Sequence, residues 1–411
     1  MLPDISPIGI FLTYFISYFS LFTSLYLLFI FIENKQNFTA LKTKRLPKVS
    51  ILVPVYNGAK YVKECLNSLS ELDYPKEKLE IIVLDDGSTD NFLKETKKFK
   101  FKFYKRFHSG KANTINYGID KTSGEIVGIL DIDSIVEKQV LKKMVGYFNN
   151  KNVAAIHSGI RVKNASSLLE KFQDIEYAFS LFFKKLFSFV DGLFVTPGVF
   201  SLYKKDILKQ IGKFDSHNVT EDLEIALRIL SKGYSIKCVT EAKTYTTVPN
   251  KFSELSRQRA RWNFGLIVNL KKYSFLLSLK YKELGYFILP VTILLPIILL
   301  VFFSYIFIDL SFSLINKFHL FLLAGTEPFL ENLFKFHFSI GFLQSEIFFY
   351  SLVTLSLGLI FLRYLKKYAL FGKVNYKIIP YYIIYLFTSG CIYFYLWIIT
   401  IYKILRKDIR W

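Results

Sequence analysis

Four polar clusters interrupt the apolar runs of this 411-residue chain, and each holds residue types that catalysis uses. In LDDGSTD (84–90), Asp85 and Asp86 can accept hydrogen bonds from the donor edge of a base or from ribose hydroxyls, and Gly87 permits a sharp turn. The same stretch also reads as a strand-to-helix turn with Ser88 or Asp90 as N-cap, and both readings stay open. In DID (131–133), alternation along a strand would point Asp131 and Asp133 to one side, where they can hold a hard cation that bridges a diphosphate. In TED (220–222), Glu221 and Asp222 are carboxylates of the kind a general base requires, within reach of an acceptor hydroxyl. Thr220 as N-cap with acids in the first helical turn accounts for part of that pattern without chemistry. In QRARW (258–262), helped by Lys111 of HSGKANTIN, Arg261 can neutralise a departing diphosphate and Trp262 offers a flat face for a sugar ring. The competing reading of QRARW is a membrane-surface helix with snorkelling arginines and an interfacial tryptophan.

These clusters need strand ends to converge. From Pro47 short β-branched runs alternate with helical stretches, the pattern of βαβ units and a mainly parallel sheet with helices on both faces. Strands are predicted at 49–55, 79–86 and 124–133, with helices near 59–71 and 90–98. Ligands of open α/β sheets bind at the carboxyl ends of strands, so the ends of these three should share one crevice. Further helices are predicted near 167–187, 204–211, 220–233 and 253–272, with short strands between them. The 167–187 helix, with Lys184 and Lys185, fits an interfacial helix or a packed core helix equally.

The flanks are of another composition. Mean hydropathy is +0.31 with 18% aromatics, too apolar for an ordinary soluble enzyme. Residues 8–32 are free of charge over a length that spans a bilayer and exceeds a signal peptide's apolar region. Three more candidate spans are 285–307, 342–362 and 378–401, while 310–325, with Lys317 and His319, reads as re-entrant or interfacial. The division predicted is a transmembrane helix and basic linker over 1–46, a catalytic domain over 47–275 and a C-terminal membrane domain of about three helices over 276–411. Basic residues after the first span, among them Lys35, Arg45 and Lys48, place the middle in the cytosol by the positive-inside rule. The net charge of +21 is scattered, which fits anionic lipid headgroups and argues against nucleic acid as a partner. Three well-separated cysteines, Cys65, Cys238 and Cys391, show no metal or redox spacing.

Read together and in order, PVYN (54–57), DDGSTD, SGKANTIN, DID, PGVFSLYKKDIL, TED and QRARW resemble the membrane-embedded family 2 glycosyltransferases, the group of cellulose, chitin, hyaluronan and poly-N-acetylglucosamine synthases. The resemblance spans roughly 47–272 and extends to the flanking membrane helices. It implies a GT-A fold, a UDP-linked donor carrying N-acetylglucosamine or glucose, inversion at the anomeric carbon, and growth of a polysaccharide coupled to export. By position it implies Tyr56, Asp85 and Asp86 on the nucleotide, Lys111 on its phosphates, and Asp131 and Asp133 at a donor bound through Mg or Mn, Asp133 being the direct ligand. It makes Asp222 the catalytic base, and sets Gln258, Arg261 and Trp262 along the diphosphate and acceptor end. Lys204 stands where many members have arginine, which should weaken a bidentate contact there. Expected partners are the UDP-sugar, a polysaccharide or lipid-linked acceptor, the bilayer, and an accessory or export subunit. The alternative within enzymes is a single addition to a membrane lipid, as in ceramide glucosyltransferase-like proteins.

Overall fold

The structure, a computed structural model, describes residues 7–325 apart from Lys42, Lys44 and Asn164, together with Val353 and residues 379–406. The chain enters through α1 (Pro7–Asn34) and runs β1 (Val49–Val55), α2 (Val62–Ser70), β2 (Leu79–Asp85), α3 (Phe92–Thr96), β3 (Lys102–Lys105), α4 (Lys111–Lys121), β4 (Ile126–Leu130), β5 (Ser134–Val136) and α5 (Val140–Val145). It continues through β6 (Val153–Val162), α6 (Leu168–Phe189), β7 (Phe200–Lys204), α7 (Lys205–Gln210), α8 (Glu221–Ser231), β8 (Ser235–Thr246), α9 (Phe252–Lys272) and α10 (Leu289–Ala324), and the last described helix is α11 (Ile379–Leu405).

β1 is buried along its whole length, which is why VSILVPV is a continuous apolar run without alternation. It sits in an eight-stranded sheet ordered β3-β2-β1-β4-β7-β6-β8-β5. Its odd positions Ile51 and Val53 join α2, α3 and α5 in one core, and Leu52 faces the other, with Ile115 of α4 and Ile225 of α8. The expectation of a mainly parallel sheet holds for the first half only. β3, β2, β1 and β4 are parallel, as are β6 and β8, whereas β7 is antiparallel to β4 and β6, and β5 to β8. The reason lies after α6. The irregular stretch 192–197 carries the chain back along the sheet, so β7 enters from the end where β4 leaves, with Phe200 opposite Leu130. The loop before β7 therefore arrives beside Asp131.

α6 starts with a full capping box, Ser167 accepting from the Glu170 N–H and Glu170 from the Ser167 N–H. Lys184 and Lys185 near its end do not snorkel. Lys185 is buried, its amine 3.1 Å from the Cys238 carbonyl oxygen, and Lys184 lines an interior cavity. The core reading of this helix is the one observed on that face.

Among the described residues three helices are long and apolar enough to cross a membrane: Pro7–Phe38, Leu284–Leu323 and Thr388–Leu405. The stretch 310–325 read as re-entrant is instead the continuation of α10, whose hydrogen bonding ends only at Gly325. The candidate span 342–362 lies outside the described residues, Val353 excepted. The flanking helices are joined to the catalytic half by aromatic packing. Phe31 and Phe38 close on Phe182 of α6, Tyr26 of α1 lies 3.9 Å from Phe287, and Phe179 of α6 stacks on Tyr382 of α11 at 5.6 Å.

β6 and β8 come closest at a register shift between Ser158 and Gly159. A Cβ on Gly159 would lie 2.5 Å from the Thr240 carbonyl oxygen, a backbone atom that cannot swing aside. Gly159→Ala is expected to destabilise the protein by about 1–3 kcal/mol, read as a lowered melting midpoint of the full chain in detergent.

Candidate active site

The ends of β1, β2 and β4 do meet. The Asp86 N–H donates to the Val55 carbonyl at 2.8 Å, drawing the two strand ends together. Beyond them Tyr56, half exposed, stacks on His108 with ring centroids 4.3 Å apart. Gly87, at φ 79, turns the chain so tightly against the next loop that a Cβ would lie 2.7 Å from the His108 nitrogen. Asp85 and Asp86 are both buried and take different parts. Asp86 accepts from the Ser109 and Gly110 N–H groups at 2.9 and 3.0 Å and from the Thr114 hydroxyl at 2.6 Å, with His108 Nδ1 at 2.9 Å. Burial opposes its charge, but the Thr114 hydroxyl and those N–H groups outweigh it and hold the carboxyl below the usual range. Its work is to shape the loop that opens α4. Asp85 accepts from the Ser88 N–H through Oδ1, while its Oδ2 is buried with no partner among the described residues. Of the two expected caps, Ser88 accepts from the Asn57 N–H instead, while Asp90 accepts from the Ala59 N–H through Oδ2 and from the Phe92 N–H, at the start of α3, at 3.4 Å through Oδ1. Asn91, the N-cap residue itself, makes no side-chain cap bond.

Asp131 and Asp133 are not on a strand. They occupy a turn between β4 and β5, closed by the Ser134 N–H donating to the Asp131 carbonyl at 3.1 Å. The turn still presents both to one cavity. Lys111, the first residue of α4, places its amine 2.6 Å from Asp131 and 3.2 Å from Glu221. Burial and the charge of Asp131 push Asp133 above the ordinary carboxyl range. Burial and Glu221 push Asp222 up to about 6, against the pull of Lys111 and Arg261. Burial also works against Glu221, yet the Lys111 ammonium holds that neighbour low. Adjacent carboxylates of one helix turn thus differ in proton affinity through a single lysine.

Thr220 is the N-cap residue of α8 without a side-chain cap bond; the Leu223 N–H is met by Asp222 itself at 2.9 Å. The Thr220 hydroxyl turns to α9 instead, accepting from Asn269 at 3.0 Å, and Asn269 also pairs with Asn218 at 2.8 and 3.1 Å. Arg261 adds a bond to the Val219 carbonyl at 3.1 Å, so α9 grips the segment that delivers Glu221 and Asp222. QRARW is therefore not a snorkelling surface patch.

One cavity of about 670 Å³ gathers Lys111, Asp131, Asp133, Glu221, Asp222, Gln258, Arg261 and Trp262. Gln258 Oε1 is buried there without a partner among the described residues. Tyr56, Asp85 and Asp86 lie outside that lining, at the adjoining strand ends. The same cavity holds residues that sequence reasoning missed: His157, Glu176, Tyr177, Lys184 and Arg259. Arg259 is buried, 2.7 Å from Glu176 and with its guanidinium 4.2 Å from the Trp262 ring centroid. Arg259 stood within QRARW and Lys184 was named on the 167–187 helix without a site role, whereas His157, Glu176 and Tyr177 carried no signal beyond a polar residue within a strand or helix. Lys204, for which the resemblance implied an acceptor or diphosphate contact, is elsewhere. Its amine binds the Asn150 and Lys151 carbonyls at 3.0 and 2.9 Å, because β7 points its far end away from the cavity.

A mixed α/β sheet that brings a paired-carboxylate turn, a lysine paired with both acidic segments and a second acidic pair to one strand-end cavity is the architecture of a GT-A glycosyltransferase. Known proteins agree. The family model described as glycosyl transferase family 2 matches residues 50–212. A poly-beta-1,6-N-acetyl-D-glucosamine synthase of Staphylococcus epidermidis is 32% identical over 291 residues, covering 67% of this chain and 70% of the relative. The synthase of the same name from Staphylococcus aureus (strain COL) is 33% identical over 54% of this chain and 55% of its own. Among solved structures, a mannosyltransferase from Pyrobaculum calidifontis in complex with GDP-Man and Mn2+ shares the fold, with TM-score 0.51 and 21% identity over 64% of this chain and 75% of its own. The chain belongs to glycosyltransferase family 2, in its polysaccharide synthase group.

Because Asp86 acts through the loop it holds, its partner Thr114 should matter without touching a ligand. Thr114→Val removes one hydrogen bond to a buried carboxylate, a loss of about 1.5–3 kcal/mol. Titration calorimetry of the variant is expected to show UDP binding weakened about tenfold or more.

Proposed function

We propose that the chain transfers N-acetylglucosamine, with inversion, from UDP-N-acetylglucosamine to a growing β-1,6-linked polysaccharide. The reading rests on the cavity in which Asp222 shares one space with Lys111, Asp131, Asp133, Arg261 and Trp262, and on the likeness to the poly-beta-1,6-N-acetyl-D-glucosamine synthases. The nucleotide belongs at the ends of β1 and β2. Tyr56, stacked with His108, offers a ring face to the base, and the orphaned Asp85 Oδ2 suits a base N–H. Lys111 and Arg261 bind the diphosphate.

A divalent cation fits the two aspartates of the turn. The set is all oxygen, Asp133 is half-buried beside a second carboxylate, and among the described residues no group of three or more His, Cys, Asp or Glu forms a closed metal cage. Two carboxylates with phosphate and water completing the shell are the habit of Mg2+ or Mn2+. Such an ion, held by Asp133 with Asp131, supplies charge neutralisation to the leaving diphosphate.

In the reaction the acceptor hydroxyl, bound beside Trp262, gives its proton to Asp222 as its oxygen bonds to the anomeric carbon. The bond from that carbon to the diphosphate oxygen breaks on the opposite side, and UDP leaves with the electron pair. Asp222 is suited to this because burial and Glu221 raise its proton affinity above that of an ordinary aspartate. Lys111 and Arg261 receive the charge that develops on the diphosphate. Several membrane spans, with the catalytic domain on the cytosolic side, would let α10 and α11 receive the product.

The test is transfer by the full chain in lipid nanodiscs with Mg2+ or Mn2+ and a panel of UDP-sugars. A high-mass product from UDP-N-acetylglucosamine alone, cleaved by a β-1,6-specific hexosaminidase, is the expected result. Label confined to the lipid phase would replace the polymer reading with single addition. Asp222→Asn is expected to abolish transfer while UDP still binds. The base form of Asp222 exists above its pKa, so kcat/KM should fall as pH drops through about 6; a flat profile from pH 5 to 8 would remove Asp222 from the role of base.

A further inference from the structure

The back of the catalytic cavity, on the side of β6 and α6, carries polar groups that the transfer chemistry does not use. His157 is wholly buried and lines the cavity. Its Nδ1 lies 2.8 Å from the Ser158 carbonyl oxygen, which only accepts, so Nδ1 carries the proton and Nε2 is a bare acceptor. That Nε2 is buried with no partner among the described residues. Burial, with the charge of Lys184 nearby, holds the ring neutral, its pKa pushed down to about 3. Lys184 is the complement. Its amine, three donors and no acceptor, lines the same cavity without a hydrogen bond or ion pair among the described residues. Burial lowers its pKa, opposed by the fields of Cys238, Asp222 and Glu176.

Apolar surface lies beside the pair. Leu181 is one turn before Lys184 on α6 and lines the cavity, as does Ile160. On a regular strand His157 and Ile160 would face opposite sides. The register shift between Ser158 and Gly159 changes the phase, so both reach the cavity. The lining thus offers one donor, one bare acceptor and a small apolar wall, which are the three needs of an acetamido group: a carbonyl oxygen, an N–H and a methyl. A sugar hydroxyl in the same place can also accept from Lys184 and donate to His157, but it has no methyl and leaves the wall of Leu181 and Ile160 facing water, so the wall is what favours the acetamido group.

We propose that Lys184, His157, Leu181 and Ile160 form the subsite that reads a sugar's acetamido group, Lys184 donating to its carbonyl, His157 Nε2 accepting its N–H, and the two aliphatic side chains packing on its methyl. The proposal rests on the N-acetylglucosamine reading above and assigns the residues that enforce it. The group can belong to the donor sugar or to the terminal sugar of the acceptor, and the experiment separates the two.

Lys184→Met keeps the length and removes the donors; His157→Phe keeps the ring and removes the acceptor. Binding of UDP, UDP-N-acetylglucosamine and UDP-glucose to each variant is measured by calorimetry, and N-acetylglucosamine and glucose are compared as soluble primers. If the donor sugar is read here, the preference for UDP-N-acetylglucosamine over UDP-glucose falls about tenfold or more in both variants while UDP affinity stays at the parent value. If the acceptor is read, donor preference persists and primer preference falls by a similar factor. Parent-like preferences for donor and primer in Lys184→Met, with UDP still bound, overturn the subsite and leave the nucleotide-sugar reading standing. A parent protein that binds UDP-glucose as tightly as UDP-N-acetylglucosamine and prefers neither primer overturns both.

Discussion

The ammonium of Lys111 is the hinge of the site. It stands at the first residue of α4, with Asp131 of the β4–β5 turn at 2.6 Å and Glu221 of α8 at 3.2 Å. Three segments far apart in sequence are thereby brought to one point, and two of them carry carboxylates that would repel each other without that charge. Burying such a group is costly unless paired, and burial and pairing act against each other on Lys111 and on Glu221. The result is a graded set of proton affinities, with Glu221 held low and Asp222 high.

The loop behind Lys111 must be rigid for this to work, and Asp86 makes it so. A carboxylate that accepts two backbone N–H groups and a hydroxyl fixes the entry of α4 much as a capping residue fixes a helix start. Asp85, its neighbour in sequence, points elsewhere and keeps one oxygen free. Two adjacent aspartates thus divide into one that builds the site and one that remains able to bind.

Much of this was legible from residues. β1 was placed at its observed bounds, since a continuous apolar run bounded by polar residues is an unambiguous buried strand. The clusters around Asp85, Asp131, Asp222 and Arg261 were found because each gathers ionisable residues at a strand end or helix start. The local conformations were less legible. Whether DID stays on the strand, or whether Thr220 caps its helix, depends on competing partners such as Ser134 and Asn269 that only tertiary structure supplies. His157, Lys184 and Glu176 escaped for a related reason. Single polar residues in apolar runs have no spacing to betray them, and the bulge that re-aims β6 is invisible to a period-2 reading.

The join to the membrane helices follows the same physics at longer range. Arg259 pairs with Glu176 across α9 and α6, and Tyr393 of α11 reaches the same carboxylate. Trp262 lies against that guanidinium at 4.2 Å, so the aromatic face at the acceptor end is held by an ion pair anchored on a membrane-length helix. A buried pair of this kind is weak as a source of stability, since desolvation consumes most of its attraction, but removing one partner is expensive. Its effect is to make the position of Trp262 depend on the seating of α11. Asn263, on the next residue of α9, bonds Thr400 of that helix at 3.2 Å and adds a second tie. A catalytic half that slid relative to α11 would have to break both, so the cavity floor and the membrane segment move as one piece or not at all.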